Sequence, residues 1–429
     1  MNRSLFQRVK NASFLLARSD ENERNRALEA IADAISANRG RIRESNDRDV
    51  EEALRKGEKE ALVSRLKYTD SKMDQSVKGL EEVKSLPDPV FRIREEREID
   101  ASFILKKVTV PLGVIGMIFE ARPDALVQIA SLALKSGNGL ILKGGSEAAA
   151  TNRVLVDIIK GATKDFSFTS DWIDALETRE DVKELLLADE WVDLIIPRGS
   201  NSFVRYVMDN THIPVLGHSD GLCITYVENT ADVGKAVKIL VDAKTQYPAA
   251  CNSTETILVE NGIAPSLLPR LSEAFREKGV TVHADERAIQ YFSEGIPAVP
   301  SDWNTEYLAL ECAVKVVDST EEAVEHIAEH SSKHTDAIIT EDGKEADWFT
   351  RNVDSADVFV NCSTRFADGY RFGLGSEVGI STSRLHARGP VGLDGLMTTK
   401  WILTGHGETV GEYSGKNPEK TFHFRDIKL

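Results

Sequence analysis

The alternation of short apolar segments with helix-like segments constrains the fold of this chain more than any other feature. In the first part of the chain, strands are predicted over residues 114–119, 140–142, 194–196 and 222–227. After residue 231 the alternation resumes, with strands predicted over residues 255–259, 313–317, 337–339 and 358–361. Strands that alternate with helices form parallel sheets covered on both faces. The sequence therefore predicts an α/β protein, and its 429 residues are enough for two or three domains.

The first 86 residues have a different character and are predicted to be helical. They are highly charged, and apolar residues such as Leu28, Ile31 and Ile35 recur at helical spacing. No acidic residue precedes Asp20, so the first segment also has the composition of a transit peptide. We favour a first amphipathic helix that stops near Ser19, which can cap the next helix.

Charge and hydropathy argue against two classes of partner. The chain has a net charge of −16 and no dense run of basic residues, whereas a nucleic-acid-binding protein needs a basic surface. No apolar run approaches the roughly 20 residues that a membrane-spanning helix requires. We therefore expect neither a nucleic acid nor a membrane as partner. An anionic substrate must be held by local basic groups, not by the overall charge.

The cysteines and histidines do not follow the patterns of a metal site. The chain has four widely spaced cysteines without a C-x-x-C pair: Cys223, Cys251, Cys312 and Cys362. The H-E-x-x-H pattern of zinc enzymes is absent around the three histidines that share one helical face: His326, His330 and His334. We expect no metal, a partly exposed polar helix face, and reduced thiols in a reducing compartment, the cytoplasm.

Cys251 is the sharpest candidate for a catalytic residue. It lies in residues 247–253, a loop between a predicted helix and a predicted strand, where small neighbours leave room for a substrate. A cysteine thiolate is a strong nucleophile and forms thioesters, which accept hydride readily. From the residues alone, a buried structural cysteine fits equally well. The other three cysteines lie in or beside predicted strands, and we expect them to be structural.

Two glycine-containing turns are candidates for binding phosphate groups. Residues 143–145 (KGG) follow one predicted strand and open a helix, and residues 197–201 (PRGSN) follow another strand. Glycine lets backbone N–H groups approach an anion at the positive end of a helix. Residues 373–379 imitate a dinucleotide-binding fingerprint, but Val378 replaces its third glycine. We expect residues 373–379 to form a flexible loop near a site.

Several motifs, in order along the chain, resemble the γ-glutamyl phosphate reductase family, a branch of the aldehyde dehydrogenase superfamily. These motifs occupy residues 110–123, 143–145, 247–256, 323–336 and 375–400. The resemblance runs from the N-terminal helices to about Trp401. Residues 213–221 and 242–256 look especially like the reductase half of the plant and animal bifunctional proline-pathway synthases.

This resemblance implies an aldehyde dehydrogenase-like α/β fold, with two Rossmann-type parallel-sheet domains and a small β oligomerisation arm. Residues 1–230 would form the NADPH-binding domain and residues 231–390 the catalytic domain. Residues 391–429 would form a return segment and an oligomerisation tail. Residues 98–110, which predict a β-hairpin, would contribute to the arm. The β-rich stretch 420–424 could pair with this arm or with another subunit, and we expect a homo-oligomer.

The resemblance also implies an activity. It is the NADPH-dependent reduction of γ-glutamyl phosphate to glutamate 5-semialdehyde and phosphate, the second step of proline synthesis from glutamate. Cys251 would be the nucleophile that carries the thioester. Gly199 and Ser200 would line the pyrophosphate turn, and Glu306 would orient the nicotinamide ribose. The α-carboxylate end of the substrate is assigned to Ser381, Thr382 and Arg388. A glutamate kinase that supplies the labile acyl phosphate is the expected protein partner.

Three departures from the wider superfamily sharpen this expectation. Oxidising members have a general-base Glu in an E-L-G-G segment, and the corresponding residues 215–218 contain no carboxylate to activate water. NAD-preferring relatives have Glu where this chain has Ser146, which leaves room for a 2′-phosphate with Lys143 as its counter-charge. Arg122 lies near the oxyanion-binding Asn of relatives. We predict that Arg122 meets the acyl phosphate or the oxyanion, although a structural salt bridge fits equally well.

Two alternative functions remain open at this point. An oxidising NAD(P)-dependent aldehyde dehydrogenase would have the same fold, but it would use water where a reductase of this family uses phosphate. A non-catalytic homologue that partners glutamate kinase would need neither, although the intact Cys251 loop and Lys143 turn argue against it. Phosphate dependence of the reverse reaction distinguishes the reductase from an oxidising aldehyde dehydrogenase. NADPH binding distinguishes it from a non-catalytic homologue.

Overall fold

The computed structural model describes residues 2–120, 122–217 and 220–427. Its N-terminal part is helical, as predicted, with helices at Arg3–Leu16, Glu21–Ala37, Arg39–Arg55, Glu60–Leu66 and Asp70–Ser85. Leu28, Ile31 and Ile35 are buried on one face of the second helix. That helix is capped by Asp20, not by Ser19, because the Asp20 carboxylate accepts the N–H of Glu23 at 2.7 Å.

The first sheet consists of four parallel strands. Their spatial order is Ile173–Leu176, Gly139–Gly144, Val114–Phe119 and Leu194–Arg198. Helices cover the sheet at Pro123–Lys135, Ala149–Thr163, Arg179–Leu186 and Asn201–Asp209. Every residue of Val114–Phe119 is buried, as expected for a strand covered on both faces. The register pairs Phe119 with Gly144 on one side and with Arg198 on the other, so both predicted phosphate-binding turns meet at the carboxyl edge.

The second sheet has seven parallel strands. Their spatial order is Ile296–Pro297, Thr281–Ala284, Glu311–Val317, Thr254–Glu260, Cys223–Val227, Thr335–Ile339 and Asp357–Val360. Four helices accompany them: Val233–Thr245, Ala264–Lys278, Thr320–His330 and Gly343–Asn352. The expected division at residue 230 placed Cys223–Val227 with the first sheet, whereas this strand lies inside the second. Strand–helix alternation predicts that a strand exists but not which sheet it joins.

The predicted hairpin is part of a third, antiparallel sheet. Ile93–Asp100 pairs with Phe103–Pro111, which confirms a hairpin that is longer than residues 98–110. Met397–Thr404 adds to one edge and Arg425–Asp426 to the other. The C-terminal tail pairs with the hairpin of its own chain through Arg425 and Asp426, whereas the expected stretch 420–424 forms no strand. Short strands at Gly379–Ser381 and Gly389–Val391 form a separate antiparallel pair.

No helix in the described part of the chain is both long enough and apolar enough to cross a lipid bilayer. The α/β expectation is confirmed, with the two parallel sheets each covered by helices. Their carboxyl edges and the loops that leave them position the residues of the site described next.

Candidate active site

Cys251 lies in the loop between the helix Val233–Thr245 and the strand Thr254–Glu260. Its side chain is partly exposed and lines a cleft of about 190 Å³. The opposite wall of this cleft is built by residues 196–204, at the carboxyl edge of the first sheet. Cys223 is buried, and its Sγ donates to the carbonyl oxygen of Cys251 at 3.3 Å. The cysteine singled out from the sequence is thus the one that faces this cleft between the two sheets.

Hydrogen bonds from neighbouring side chains hold the Cys251 loop. Ser253 Oγ donates to the carbonyl oxygen of Ala243 at 3.2 Å, and Asn252 Nδ2 donates to that of Ala367 at 2.7 Å. The backbone N–H of Cys251 has no acceptor within the described residues. A fixed loop with a free N–H at Cys251 has the elements of an oxyanion-binding site.

A buried ion pair joins the two ends of this loop. Lys244 in the last turn of the helix bonds Glu255 at the start of the strand, with 2.7 Å between Nζ and Oε2. Neither side chain is exposed to solvent. Burial raises the pKa of Glu255 to about 7, against the opposing effect of Lys244. Such a pair is costly to desolvate, so it is more readily understood as a positioning device than as a source of stability. The sequence analysis did not identify it.

Gly221 brings three functional elements close together. A methyl group at Gly221 would lie 2.4 Å from the carbonyl oxygen and 2.5 Å from the Cα of Cys251, and 2.5 Å from Glu306 Oε1. Only glycine permits this approach. Asn201 Nδ2 donates to Glu306 Oε2 at 2.9 Å, which connects the turn after the first sheet to Glu306. Cys251 and Glu306, which the sequence analysis assigned to one site, are therefore neighbours.

The histidine-bearing helix supports the loop that carries Glu306. His330 Nδ1 lies 3.0 Å from Asn304 Oδ1, and the ring of His326 packs edge-on against Trp303 with 5.5 Å between centroids. Burial is the main cause that lowers the pKa of His326 to about 3. His326 and His334 are both buried, so the expectation of a partly exposed polar face was wrong for these two residues. The helix ends at His330, so His334 does not share its face, and His334 Nδ1 lies 2.8 Å from Thr335 Oγ1.

Arg198 is a candidate functional residue, which the sequence predicted only as part of the turn at residues 197–201. It ends the strand Leu194–Arg198 and lines the cleft together with Cys251 and Glu377. Burial lowers the pKa of Arg198, while the negative charges of Glu377 and of a Cys251 thiolate act in the opposite direction. Burial also raises the pKa of Glu377, whose Oε2 accepts the N–H of Gly369 at 2.7 Å. A cation at the end of a strand, followed by glycine, was the signal available in the sequence.

Arg122 is close to this cleft but does not line it. Its guanidinium is exposed and lies 3.5 Å from the carboxylate of Asp124. Its charge nevertheless reaches Arg198 and lowers the pKa of that residue. Both readings of Arg122, as an anion ligand or as one half of a surface ion pair, are compatible with this position. Its role stays a prediction.

The Lys143 turn opens onto a second cleft, of about 280 Å³, at the carboxyl edge of the first sheet. Lys143 is buried and donates to the carbonyl oxygen of Gly144, and Ser146 is exposed. Asn152 lines this cleft, and both polar atoms of its side chain are buried without a partner. A methyl group at Gly145 would collide with the Glu147 carboxylate. An unsatisfied amide, a glycine turn and a lysine fit a nucleotide with hydrogen-bonding groups and a phosphate.

The three residues expected at the α-carboxylate end of the substrate are less well placed. Ser381 is fully buried and Thr382 is partly buried. Arg388 Nη2 donates to Asp354, at 3.0 Å to Oδ1 and 3.1 Å to the carbonyl oxygen. In this structure the charge of Arg388 is therefore already paired. The loop before them does reach the cleft through residues 377–380, as expected of residues 373–379.

The segment expected to lack a general base is described only in part. Leu216 and Gly217 line the Cys251 cleft. His218 lies outside the described residues. The absence of a carboxylate from residues 215–218 therefore stays an observation on the sequence.

The chain is similar to known proteins over nearly its whole length. The family model of the aldehyde dehydrogenase family matches residues 5–290. The γ-glutamyl phosphate reductase of Pelotomaculum thermopropionicum is 51% identical over 99% of this chain and 97% of that protein. That of Natronomonas pharaonis is 49% identical over 96% of this chain and 95% of that protein.

Solved structures give the same result. The γ-glutamyl phosphate reductase from Thermotoga maritima superposes with a TM-score of 0.93 at 39% identity, covering 95% of this chain and 99% of that one. A glyceraldehyde-3-phosphate dehydrogenase from Methanocaldococcus jannaschii, solved with NADP, has a TM-score of 0.61 at 17% identity over 94% of this chain and 93% of that one, which shows the fold alone. Together with the family match, the near full-length identity shows that this chain belongs to the γ-glutamyl phosphate reductases of the aldehyde dehydrogenase family.

Proposed function

We propose that this protein reduces γ-glutamyl phosphate to glutamate 5-semialdehyde and inorganic phosphate with NADPH, through a thioester on Cys251, in the synthesis of proline from glutamate. The observation that carries the proposal is the position of Cys251. Its side chain is partly exposed in a cleft that also contains the cation Arg198 and is close to Glu306. A nucleophile beside an anion-binding group suits an acyl phosphate.

The first chemical step needs little from the protein beyond positioning. The Cys251 sulfur attacks the acyl carbon, a C–S bond forms, and the C–O bond to phosphate breaks with its electron pair leaving on phosphate. Phosphate is a good leaving group, so no strong general acid is required. The free N–H of Cys251 is available to stabilise the oxyanion during attack. Arg122 is proposed to stabilise the acyl phosphate or this oxyanion from outside the cleft.

The residues of the two turns form the proposed ligand set for the cofactor. NADPH, when bound, supplies the hydride that converts the thioester to the aldehyde and returns the Cys251 thiolate. Lys143, Ser146 and Asn152 would hold its adenosine end, and the absence of a carboxylate at Ser146 favours NADPH over NADH. Gly199 and Ser200 would line the pyrophosphate, and Glu306 would orient the nicotinamide ribose.

The arm is the proposed oligomerisation surface. Large apolar side chains on or beside its strands are exposed: Phe91, Trp401, Leu403, Phe422 and Phe424. An exposed apolar surface of this kind is typical of a protein interface. We infer a homo-oligomer, which light scattering of the purified protein will test, and we keep a glutamate kinase as the proposed supplier of the labile substrate.

Four free cysteines are compatible with the cytoplasm as the proposed compartment. A reducing compartment would keep the Cys251 thiol available for attack. Protein will be prepared under oxidising and under reducing conditions, and its free thiols will be labelled and its activity measured. The comparison will show how much the activity depends on such an environment.

The reverse reaction tests the proposed function. Glutamate 5-semialdehyde and NADP⁺ are mixed with the enzyme, with and without inorganic phosphate, and NADPH absorbance is followed. We expect continuous NADPH formation only with phosphate, because phosphate must release the acyl group from Cys251. Steady formation at the same rate without phosphate would instead identify an enzyme that hydrolyses the thioester, which is an oxidising aldehyde dehydrogenase.

A further inference from the structure

We propose that Arg198 binds the phosphoryl group of the acyl phosphate substrate and holds it beside Cys251. This inference rests on the proposed function and adds a specificity-determining residue to it. Arg198 lines the cleft with Cys251, and its guanidinium makes no hydrogen bond and no ion pair within the described residues. A partly buried arginine without a partner has a desolvated charge and unused donors, which is the state of an empty anion site.

The charged groups that act on Arg198 are of both signs, with Arg122 as the one cation among those that shift its pKa. Arg122 is near enough for its charge to lower the pKa of Arg198, although burial has the larger effect. Arg122 is already paired with Asp124 at 3.5 Å, so of these two cations it is Arg198 that has no ion-pair partner within the described residues. A phosphate dianion matches the planar fork of a guanidinium, which can donate two parallel hydrogen bonds to it.

Glu377 lines the same cleft, and its carboxylate would compete with that anion for Arg198. Its negative charge acts on Arg198, but the two do not form an ion pair within the described structure. Its carboxylate is instead held by the N–H of Gly369 at 2.7 Å. Burial raises the pKa of Glu377, so protonation of this carboxyl becomes easier when a phosphate group arrives. Glu377 therefore tunes the site, whereas Arg198 makes the contact.

The backbone around Arg198 leaves it accessible from the cleft. Gly199 follows it and is exposed, and Gly379 packs alongside, so that a methyl group there would contact Arg198 Nε at 3.9 Å. Small residues on both sides leave the guanidinium open to a ligand. Arg388, which was expected to bind substrate, differs because its guanidinium is paired with Asp354.

The first test measures phosphate as a substrate of the reverse reaction. In Arg198→Gln we expect the KM for inorganic phosphate to rise about tenfold or more, and the KM for semialdehyde and for NADP⁺ to stay within about twofold. Arg198→Lys keeps the charge but not the fork, and it should recover part of the loss. Glu377→Gln should lower the KM for phosphate. Arg351→Gln, an exposed arginine on the distant helix Gly343–Asn352, is the matched control and should behave as wild type.

A second test works even if the enzyme proves to have another activity. Alkylation of Cys251 by iodoacetamide, which is neutral, is compared with alkylation by iodoacetate, which is an anion. We expect inorganic phosphate to slow both reactions in wild type and to slow neither in Arg198→Gln. The ratio of the iodoacetate rate to the iodoacetamide rate should fall about tenfold in that variant. Far-UV circular dichroism and thermal unfolding will confirm that the variant is folded.

The outcomes separate this proposal from the proposed function. Protection by phosphate that is lost in Arg198→Gln supports the anion site, even if the reverse reaction ignores phosphate and the proposed function fails. If the reverse reaction needs phosphate but Arg198→Gln keeps a normal KM for it and normal protection, the assignment of Arg198 is overturned. If the KM for phosphate rises and protection by phosphate is lost in Arg122→Gln and not in Arg198→Gln, the assignment is overturned as well. That result would place the phosphoryl group at Arg122.

Discussion

The loop that carries Cys251 and the two turns at the carboxyl edge of the first sheet are held in opposite ways. The loop is tied by a fully buried ion pair, Lys244–Glu255, and by backbone packed so closely that Gly221 cannot carry a methyl group. The turns place Ser146, Gly199 and part of Arg198 at the surface of open clefts. The Cys251 loop is fixed by buried contacts, whereas the turns have groups that a ligand can reach.

This difference follows from the task of each region. A nucleophile that forms a covalent bond must stay within a fraction of an ångström of its productive position, because misplacement by about 1 Å can reduce the rate about 100-fold. A phosphate or ribose site must instead keep its donors unpaired until the ligand arrives. Rigid packing serves the first purpose, and a cation without an ion-pair partner within the described residues, such as Arg198, serves the second. Substitutions in the two regions should therefore differ in kind and in size.

The largest effect is expected at the nucleophile. Cys251→Ala should reduce NADPH oxidation with γ-glutamyl phosphate by about 10⁴-fold or more, because the thioester can no longer form. NADPH binding, measured by fluorescence titration, should be unchanged since the turns are intact. Wild-type turnover in this variant would remove Cys251 from the mechanism, and a parallel loss of NADPH binding would show that the two regions are not independent.

The buried pair should give the next largest effect, on stability. Lys244→Met leaves the Glu255 carboxylate alone in an apolar site, and we expect a loss of about 3–5 kcal/mol in the free energy of unfolding. The pKa of Glu255 is already raised to about 7, above its ordinary value of 4.5, and Lys244 opposes that rise. Below about pH 7 Glu255 is mostly protonated in both folded proteins, so the loss should be nearly constant there. It should grow as pH increases above about 7, where the wild type ionises Glu255 beside Lys244 and the variant cannot.

The double variant Lys244→Met/Glu255→Leu is the control for this prediction. It removes both charges and should recover most of the stability and its pH dependence, as measured by chemical denaturation near pH 5 and near pH 8. A double variant as unstable as the single one would mean that Lys244 acts by packing its aliphatic chain. A pH-independent loss in the single variant would contradict the role of the carboxylate.

A smaller effect is expected at Gly221. In Gly221→Ala the new methyl group would meet backbone atoms of Cys251 at 2.4 Å and 2.5 Å, so the loop must shift. We expect kcat to fall about 100-fold, with much less change in NADPH affinity. Gly161→Ala, in the helix Ala149–Thr163 where a methyl group has open space, is the control and should keep full activity. Equal effects in both variants would argue against a site-specific clash.

The sequence predicted the turns proposed to bind ligands better than the contacts that position Cys251. Strand–helix alternation located most strands of both sheets, and the glycine turns at Lys143 and Gly199 lie at the expected carboxyl edge. Local patterns of this kind carry their own geometry, since a strand that ends in glycine before a helix places backbone N–H groups at one edge.

What could not be predicted depends on contacts between distant residues. Cys223–Val227 joined the second sheet because of its pairing with Thr254–Glu260, and no local pattern specifies that partner. Lys244 and Glu255 looked like ordinary residues of a helix and a strand until the fold buried them together. Arg198 belongs to the predicted turn at residues 197–201, but only its position in the Cys251 cleft distinguishes it from a surface arginine.

The smallest effect is expected at the Lys143 turn, because Ser146 is exposed and solvent screens a charge introduced there. Ser146 is exposed beside the second cleft, so Ser146→Glu places a carboxylate where the 2′-phosphate of NADPH is proposed to lie. We expect the ratio of kcat/KM for NADPH to that for NADH to fall about tenfold, and this change to shrink at high ionic strength. Ser146→Gln has the same length without the charge and should keep the wild-type ratio. A change as large as that in Gly221→Ala would mean that this turn is as rigidly held as the Cys251 loop, whereas an unchanged ratio would place the 2′-phosphate elsewhere.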